Sequence, residues 1–187
     1  RIAARASGVA AAIIARISAA SSSRGSGAPS RPDGAPGIGA MSLALIGLFN
    51  IIGSAAWGAL GSRHSKKWLL VMVYALRGVA IAIFLVVPLG AASALIFAAS
   101  FGFLWLGTVP LTNGLIALIY GVRNLSALGG IVFLSHQIGA FLGAWLAGVA
   151  FTVLGSYDAV WIASIILAGI AALANVPIRE VSLRTGQ

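Results

Sequence analysis

The sequence has no cysteine and almost no acid. Its acids are Asp33, Asp158 and Glu180, and its histidines are His64 and His136. The absence of cysteine excludes disulfides, thiolate metal sites and cysteine nucleophiles. No pair of carboxylates is available for acid–base catalysis. Ser135 and His136 are neighbours, so on a helix they point apart, and no acid lies near them to complete a triad. Neither a P-loop nor an H-E-x-x-H pattern occurs, which argues against an ATP-driven pump and an intramembrane metalloprotease. The reading is therefore not enzymatic, with no cofactor and no metal.

Charge of either sign is scarce. Charged residues make up 8% of the chain and apolar residues 60%, with a mean hydropathy of +1.05. Soluble domains average about 25% charged and about 45–50% apolar, so a soluble globular protein is excluded, and disorder needs low hydropathy. The formal charge is +9. On a soluble chain that would point to nucleic acid. Here the basic residues flank apolar runs, the pattern of a membrane protein.

A spanning helix needs about 20 mostly apolar residues. Five runs qualify, at about 41–61, 68–87, 91–119, 126–154 and 159–176. They lack the alternation of barrel strands, and helices satisfy their own backbone in lipid. The expected fold is thus an all-α membrane protein with five transmembrane helices. Arg63, Lys66 and Lys67 follow the first run, Arg123 follows the third, and Arg179 and Arg184 follow the fifth. The intervening turns, 88–92 and 155–158, hold no Lys or Arg. The positive-inside rule places the Lys67 turn and the C-terminus in the cytoplasm. Trp68 and Trp161 fall near run ends, where aromatic belts form.

Residues 1–40 stand apart. They form a low-complexity arm of Ala, Arg, Ser, Gly and Pro, read as disordered or artefactual. Residues 179–187 form a short cytoplasmic tail.

The turn after the first run reads Gly58-Ala59-Leu60-Gly61-Ser62-Arg63-His64-Ser65-Lys66-Lys67. It resembles the G-x-L-x-D-R-x-G-R-R loop of the major facilitator superfamily, with Ser62 in place of the acid and Ser65 in place of the second glycine. The stretch from His136 to Trp145, followed by Gly155-Ser156-Tyr157-Asp158, is similar to the bacterial monocarboxylate and oxalate/formate branch. The resemblance covers residue 41 onward and implies the last five of twelve helices, a partial fold of that superfamily in a bacterial inner membrane. It implies a secondary carrier working by alternating access, in symport or antiport, on a small organic anion such as a monocarboxylate. The missing N-terminal helices of the same carrier would be its partners, beside the lipid bilayer, the solute and a coupling proton. It also makes Gly58, Leu60, Gly61, Arg63, Lys66 and Lys67 a cytoplasmic gating loop, in which the loss of the acid at Ser62 weakens a charge lock; otherwise Arg63, Lys66 and Lys67 only set topology. Gly58 and Gly61 allow close helix approach and a tight turn. The alternative is a truncated or non-transporting fragment with a structural or assembly role.

Several residues are candidates for solute contact or coupling. Arg77 lies nine residues after Trp68, about 13 Å into its span, and a charge at that depth is a functional candidate. It either meets an anion or braces neighbouring helices through backbone carbonyls. His136 is the only side chain inside a span able to exchange a proton near neutral pH. It and Gln137 either act on solute and proton or bond between helices. Pro110 frees the carbonyl of Leu106 and kinks the third span, beside Trp105, Thr108, Thr112 and Asn113. Asn50 in the first span is a further candidate. Gly139 and Gly143 have the G-x-x-x-G spacing of close helix packing.

Overall fold

The computed structural model describes residues 37–88 and 90–182. Most of the N-terminal arm and the last five residues lie outside the described residues. The chain forms α1 (Ile38–Arg63), α2 (Lys66–Val86), α3 (Ala91–Trp105), α4 (Thr108–Tyr120), a short 3₁₀ turn (Val122–Asn124), α5 (Leu125–Leu154) and α6 (Asp158–Asn175). There is no strand among the described residues. Five segments are long and apolar enough to cross a membrane, and α3 and α4 together make the third, Ala91–Tyr120. The five expected runs are therefore the five helical spans. One boundary moves: residues 38–40, read as part of the arm, are the first turn of α1.

The ends follow local chemistry. α1 stops at Arg63, where His64 turns extended and its N–H bonds the Leu60 carbonyl at 2.9 Å. The turn into α2 takes only His64 and Ser65 and uses no glycine with positive φ. Of the two uses open to Gly58 and Gly61, close helix approach and a tight turn, the first is the one seen: both lie inside α1 and face the chain at Pro110 and Leu111. Positive φ falls on Gly121 (81°) and Gly155 (69°), which end α4 and α5. A side chain there would meet a steric penalty that glycine lacks.

Between helices in lipid no hydrophobic force operates, and close packing of small residues takes its place. α1 and α3 show this most clearly. A Cβ on Gly102 would lie 2.6 Å from the Ile46 carbonyl, and one on Gly53 would overlap the Phe103 carbonyl. The two backbones therefore touch directly. α2 lies along α6, with Gly78 facing Ala168. One apolar cluster joins Ile81, Phe84, Ala94, Phe97, Phe101 and Trp161, and Phe84 and Phe97 stack at 4.1 Å. A second joins Trp57, Leu69, Leu70, Val73, Leu104, Leu111 and Leu115. Trp161 is 1% exposed and packs against Phe84 and Phe97, so it belongs to the first cluster and not to an interfacial belt. Trp68 is exposed, with the Lys67 ammonium 5.0 Å from its ring centre, as an interfacial residue would be.

The basic segments gather at one end. Lys67 touches Val176 and Glu180, past the end of α6. Pro110 lies against Gly58, Leu111 against Gly61 and Gly114 against Lys66. α4 thus runs toward that same end and delivers Arg123 there. α5 is the exception to close packing: Ala147 is its single buried residue.

Candidate functional site

The third span is broken in its middle. α3 ends at Trp105, Leu106 and Gly107 form a turn, and α4 starts at Thr108. Arg77 lies eleven residues past Lys66, about 16 Å along α2, near the centre of a hydrocarbon layer about 30 Å thick. It reaches the break, so the break sits at that depth. The break comes earlier than Pro110 alone suggests. Pro110 is the third residue of α4, where a first-turn proline costs little. The Leu106 carbonyl is not free, because it accepts the Val109 N–H at 3.0 Å.

A helix end leaves backbone groups without partners, and each unpaired group in hydrocarbon costs several kcal/mol. Here side chains of α1 and α2 supply the partners. The Trp57 Nε1–H donates to the Phe103 carbonyl at 3.1 Å. Arg77 Nη2 donates to the carbonyls of Leu104 at 2.7 Å and Trp105 at 3.0 Å. The Leu106 N–H donates to Asn50 Oδ1 at 2.9 Å. The Arg77 guanidinium also lies 5.4 Å from the Tyr74 ring centre. Gly107 is required at the break, since a Cβ there would overlap the Trp57 indole. Of the two roles open to Arg77, the geometry displays bracing through carbonyls.

The sequence candidates thus divide into two sets. Asn50 and Arg77, with Trp57, are engaged with backbone. Trp105 is engaged with Phe101, edge to face at 4.9 Å. Thr108, Thr112, Asn113, His136 and Gln137 have no side-chain hydrogen bond among the described residues. These five lie on the antiparallel hairpin of α4 and α5. Asn113 Oδ1 faces Gly129 across it, 3.5 Å from where a Cβ would sit. His136 is seven residues beyond Gly129, about two turns and roughly 10 Å along the helix. Antiparallel pairing therefore places His136 at the depth of Leu106 and Gly107. His136 and Gln137 are exposed, as is Asn113, while Thr108 and Thr112 are half-buried.

Gly139 and Gly143 have nothing within 4 Å of a Cβ position, so no described helix packs on them. The loop residues lie where α1 passes into α2 beside α4. Gly58 and Gly61 seat Pro110 and Leu111 of α4. Leu60 and Arg63 are exposed, and Lys66 lays its methylenes over Gly114. Ser62 bonds the Ala59 carbonyl in its own helix at 2.7 Å. The acid near this turn comes from the tail instead: Glu180 Oε1 accepts the Lys67 N–H at 2.7 Å. No local signal links those two residues, which lie 113 positions apart. Trp57 was likewise missed, although an indole inside a span needs an N–H partner.

An open groove of about 490 Å³ runs between α1, α2 and α3, lined by Phe49, Trp57, Leu76, Val79, Ile83 and Phe103 among others. Its lining is almost wholly apolar, so it offers an anion nothing. Among the described residues no group of His, Asp and Glu is placed to hold a metal.

Comparison with known proteins gives no relative: no family model, no curated protein and no solved structure matches this chain.

Proposed function

We propose that the chain is the membrane domain, or part of it, of a secondary carrier for small solutes that works by alternating access. One observation carries this reading. A span is broken at mid-depth, and the hairpin beside the break presents Thr108, Thr112, Asn113, His136 and Gln137 with their polar groups unengaged. Broken helices at mid-membrane are where carriers build solute sites, because irregular backbone there must line a cavity or be held by protein. Polar side chains in hydrocarbon are costly and mark solute or ion paths. In this reading His136 moves the coupling proton, and the threonines and Asn113 bond the solute. The solute is a small organic anion, as the loop and helix-five resemblance to the major facilitator superfamily suggests. The nearly bare α5 packs against further helices of the same carrier. The basic end faces the cytoplasm of a bacterial inner membrane.

A second reading also draws on α5. An uncovered helix with a Gly139–Gly143 face suits a non-transporting subunit that docks another membrane protein. Water access separates the two. The chain has no cysteine, so single cysteines at positions 112, 136 and 137 report cleanly. A membrane-impermeant maleimide should label them at rates within about tenfold of a cysteine at Ser65 if they line an aqueous path. Labelling at Ser65 with none at the other three would defeat the carrier reading and favour the docking subunit.

A further inference from the structure

The polar bonds at the break are one-sided. Each side-chain bond that reaches it goes to the α3 side: the carbonyls of Phe103, Leu104 and Trp105, and the Leu106 N–H. α3 is also interlocked with α1 by direct backbone contact at Gly53 and Gly102. The α4 side is held differently. Pro110 rests on Gly58, Leu111 on Gly61, the Lys66 methylenes lie over Gly114, and Leu111 and Leu115 are buried against Trp57, Leu69, Leu70 and Val73, so its contacts are apolar throughout. Among the described residues no side-chain hydrogen bond joins α4 to α1 or α2. Hydrogen bonds are directional and fix a register. Apolar contact is non-directional and fixes a register less tightly.

We propose that Asn50, Trp57 and Arg77 are positioning residues that bolt α3 to α1 and α2, so that α4 swings at Leu106–Gly107 as a separate half-helix. The pivot is unstrained: Leu106 has φ −88° and ψ 0°, and Gly107 has φ −56° and ψ −26°. Neither residue must cross a steric barrier for a small rotation. α4 has 13 residues and is about 20 Å long. A swing of about 15° therefore moves its basic end by roughly 5 Å. The hairpin moves with it, because Gly121 and the 3₁₀ turn join α4 directly to α5. Thr108, Thr112 and Asn113 are then the mobile wall of the site, and Asn50, Trp57 and Arg77 are its fixed frame. Hinges of this kind need only a few element-terminal residues.

The inference names the moving part in the carrier reading and rests on that reading for its purpose. Its geometry is testable without any solute, so its failure would leave the maleimide result standing. The full 187-residue chain is placed in lipid nanodiscs with paired spin labels, and pulsed electron resonance measures distance distributions. Ile166→Cys on α6 is the common reference. Ser100→Cys reports α3, Leu118→Cys reports α4, and Ile51→Cys reports α1. The expected result is a 166–118 distribution at least twice as broad as 166–100. Arg77→Gln should broaden 166–100 about twofold and leave 166–51 unchanged, and Arg77→Lys should restore much of the narrow distribution. Trp57→Phe removes one donor, keeps an aromatic ring and should give a smaller broadening. Equal widths for α3 and α4 in the unmodified frame would overturn the proposal. So would an Arg77→Gln effect that spreads equally to 166–51, or that leaves 166–100 unchanged.

Discussion

Lys67 and Glu180 tie the start of α2 to the end of α6. The Lys67 backbone N–H donates to Glu180 Oε1 at 2.7 Å, and the Lys67 ammonium donates to the Val176 carbonyl at 3.1 Å. A carboxylate thus sits at the N-terminus of α2, which begins at Lys66, and a cation sits at the C-terminus of α6, which ends at Asn175. Both placements oppose the helix dipoles favourably. Capping of this sort stabilises by about 1 kcal/mol. Glu180→Ala should lower stability by about that much, and Glu180→Gln by less, because an amide oxygen still accepts. Lys67→Ala removes the Val176 bond and the contact with the Trp68 ring but keeps the Glu180 bond, whose partner is the Lys67 backbone. The double variant should therefore be close to additive, despite the contact. Thermal unfolding in detergent checks the values, and strong coupling between the two sites would contradict the geometry.

The glycines of the chain are not equivalent, and alanine substitution should separate them. Gly53 and Gly102 sit where two backbones meet, so a methyl group has no soft neighbour to displace. Overpacking of a rigid contact costs about 1–3 kcal/mol or more. Gly53→Ala and Gly102→Ala should each lie at or above the upper end of that range. Gly148 and Gly169 have nothing within 4 Å of a Cβ position. Alanine there should be neutral or stabilise by about 0.5–1 kcal/mol, the usual gain in a helix interior. Unfolding by a denaturing detergent, followed by circular dichroism, gives the order. Equal losses in both groups would mean that α1 and α3 do not meet as described.

What the sequence discloses, and what it withholds, follows from the range of each signal. The five spans are legible because length and hydropathy alone decide them in lipid. The depth of Arg77 and the gathering of basic residues at one end are legible by counting along helices. The break is half legible. Pro110 announces a disturbance, but α4 accepts proline in its first turn, so the chain parts at Leu106–Gly107 instead. The partners of Arg77 are backbone carbonyls of Leu104 and Trp105, which every sequence has. No residue pattern could name them. The G-x-x-x-G spacing at Gly139 and Gly143 shows the opposite limit: it permits close packing without saying which helix supplies it.

The Asn50 side chain offers the most local test of the break. Its amide oxygen is the acceptor for the Leu106 N–H. Leucine at position 50 keeps the bulk and removes the acceptor. An N–H left without a partner costs about 1–3 kcal/mol. Asn50→Leu should speed hydrogen exchange at Leu106 by about tenfold or more. Amides of α6, such as Ala168, should exchange as before. Uniform acceleration throughout the chain would show that Asn50 supports the whole bundle and not the break.

The bare face of α5 supplies the remaining prediction. A Cβ at Gly139 or Gly143 would meet no atom of another helix within 4 Å, and Phe141 and Trp145 are exposed beside them. For the chain in isolation, Gly139→Leu and Gly143→Leu should be neutral or raise stability by up to about 1 kcal/mol, the usual gain when a glycine leaves an open helix position. A helix that packs on this face would meet the leucines directly, because small residues are what let two backbones approach. The same variants should then weaken association with that helix about tenfold or more, as read by cysteine cross-linking from position 140 in native membranes. Both halves of the result are needed. A large loss of stability in the isolated chain would mean that α5 already packs through this face, and the uncovered helix on which the carrier reading leans would not exist.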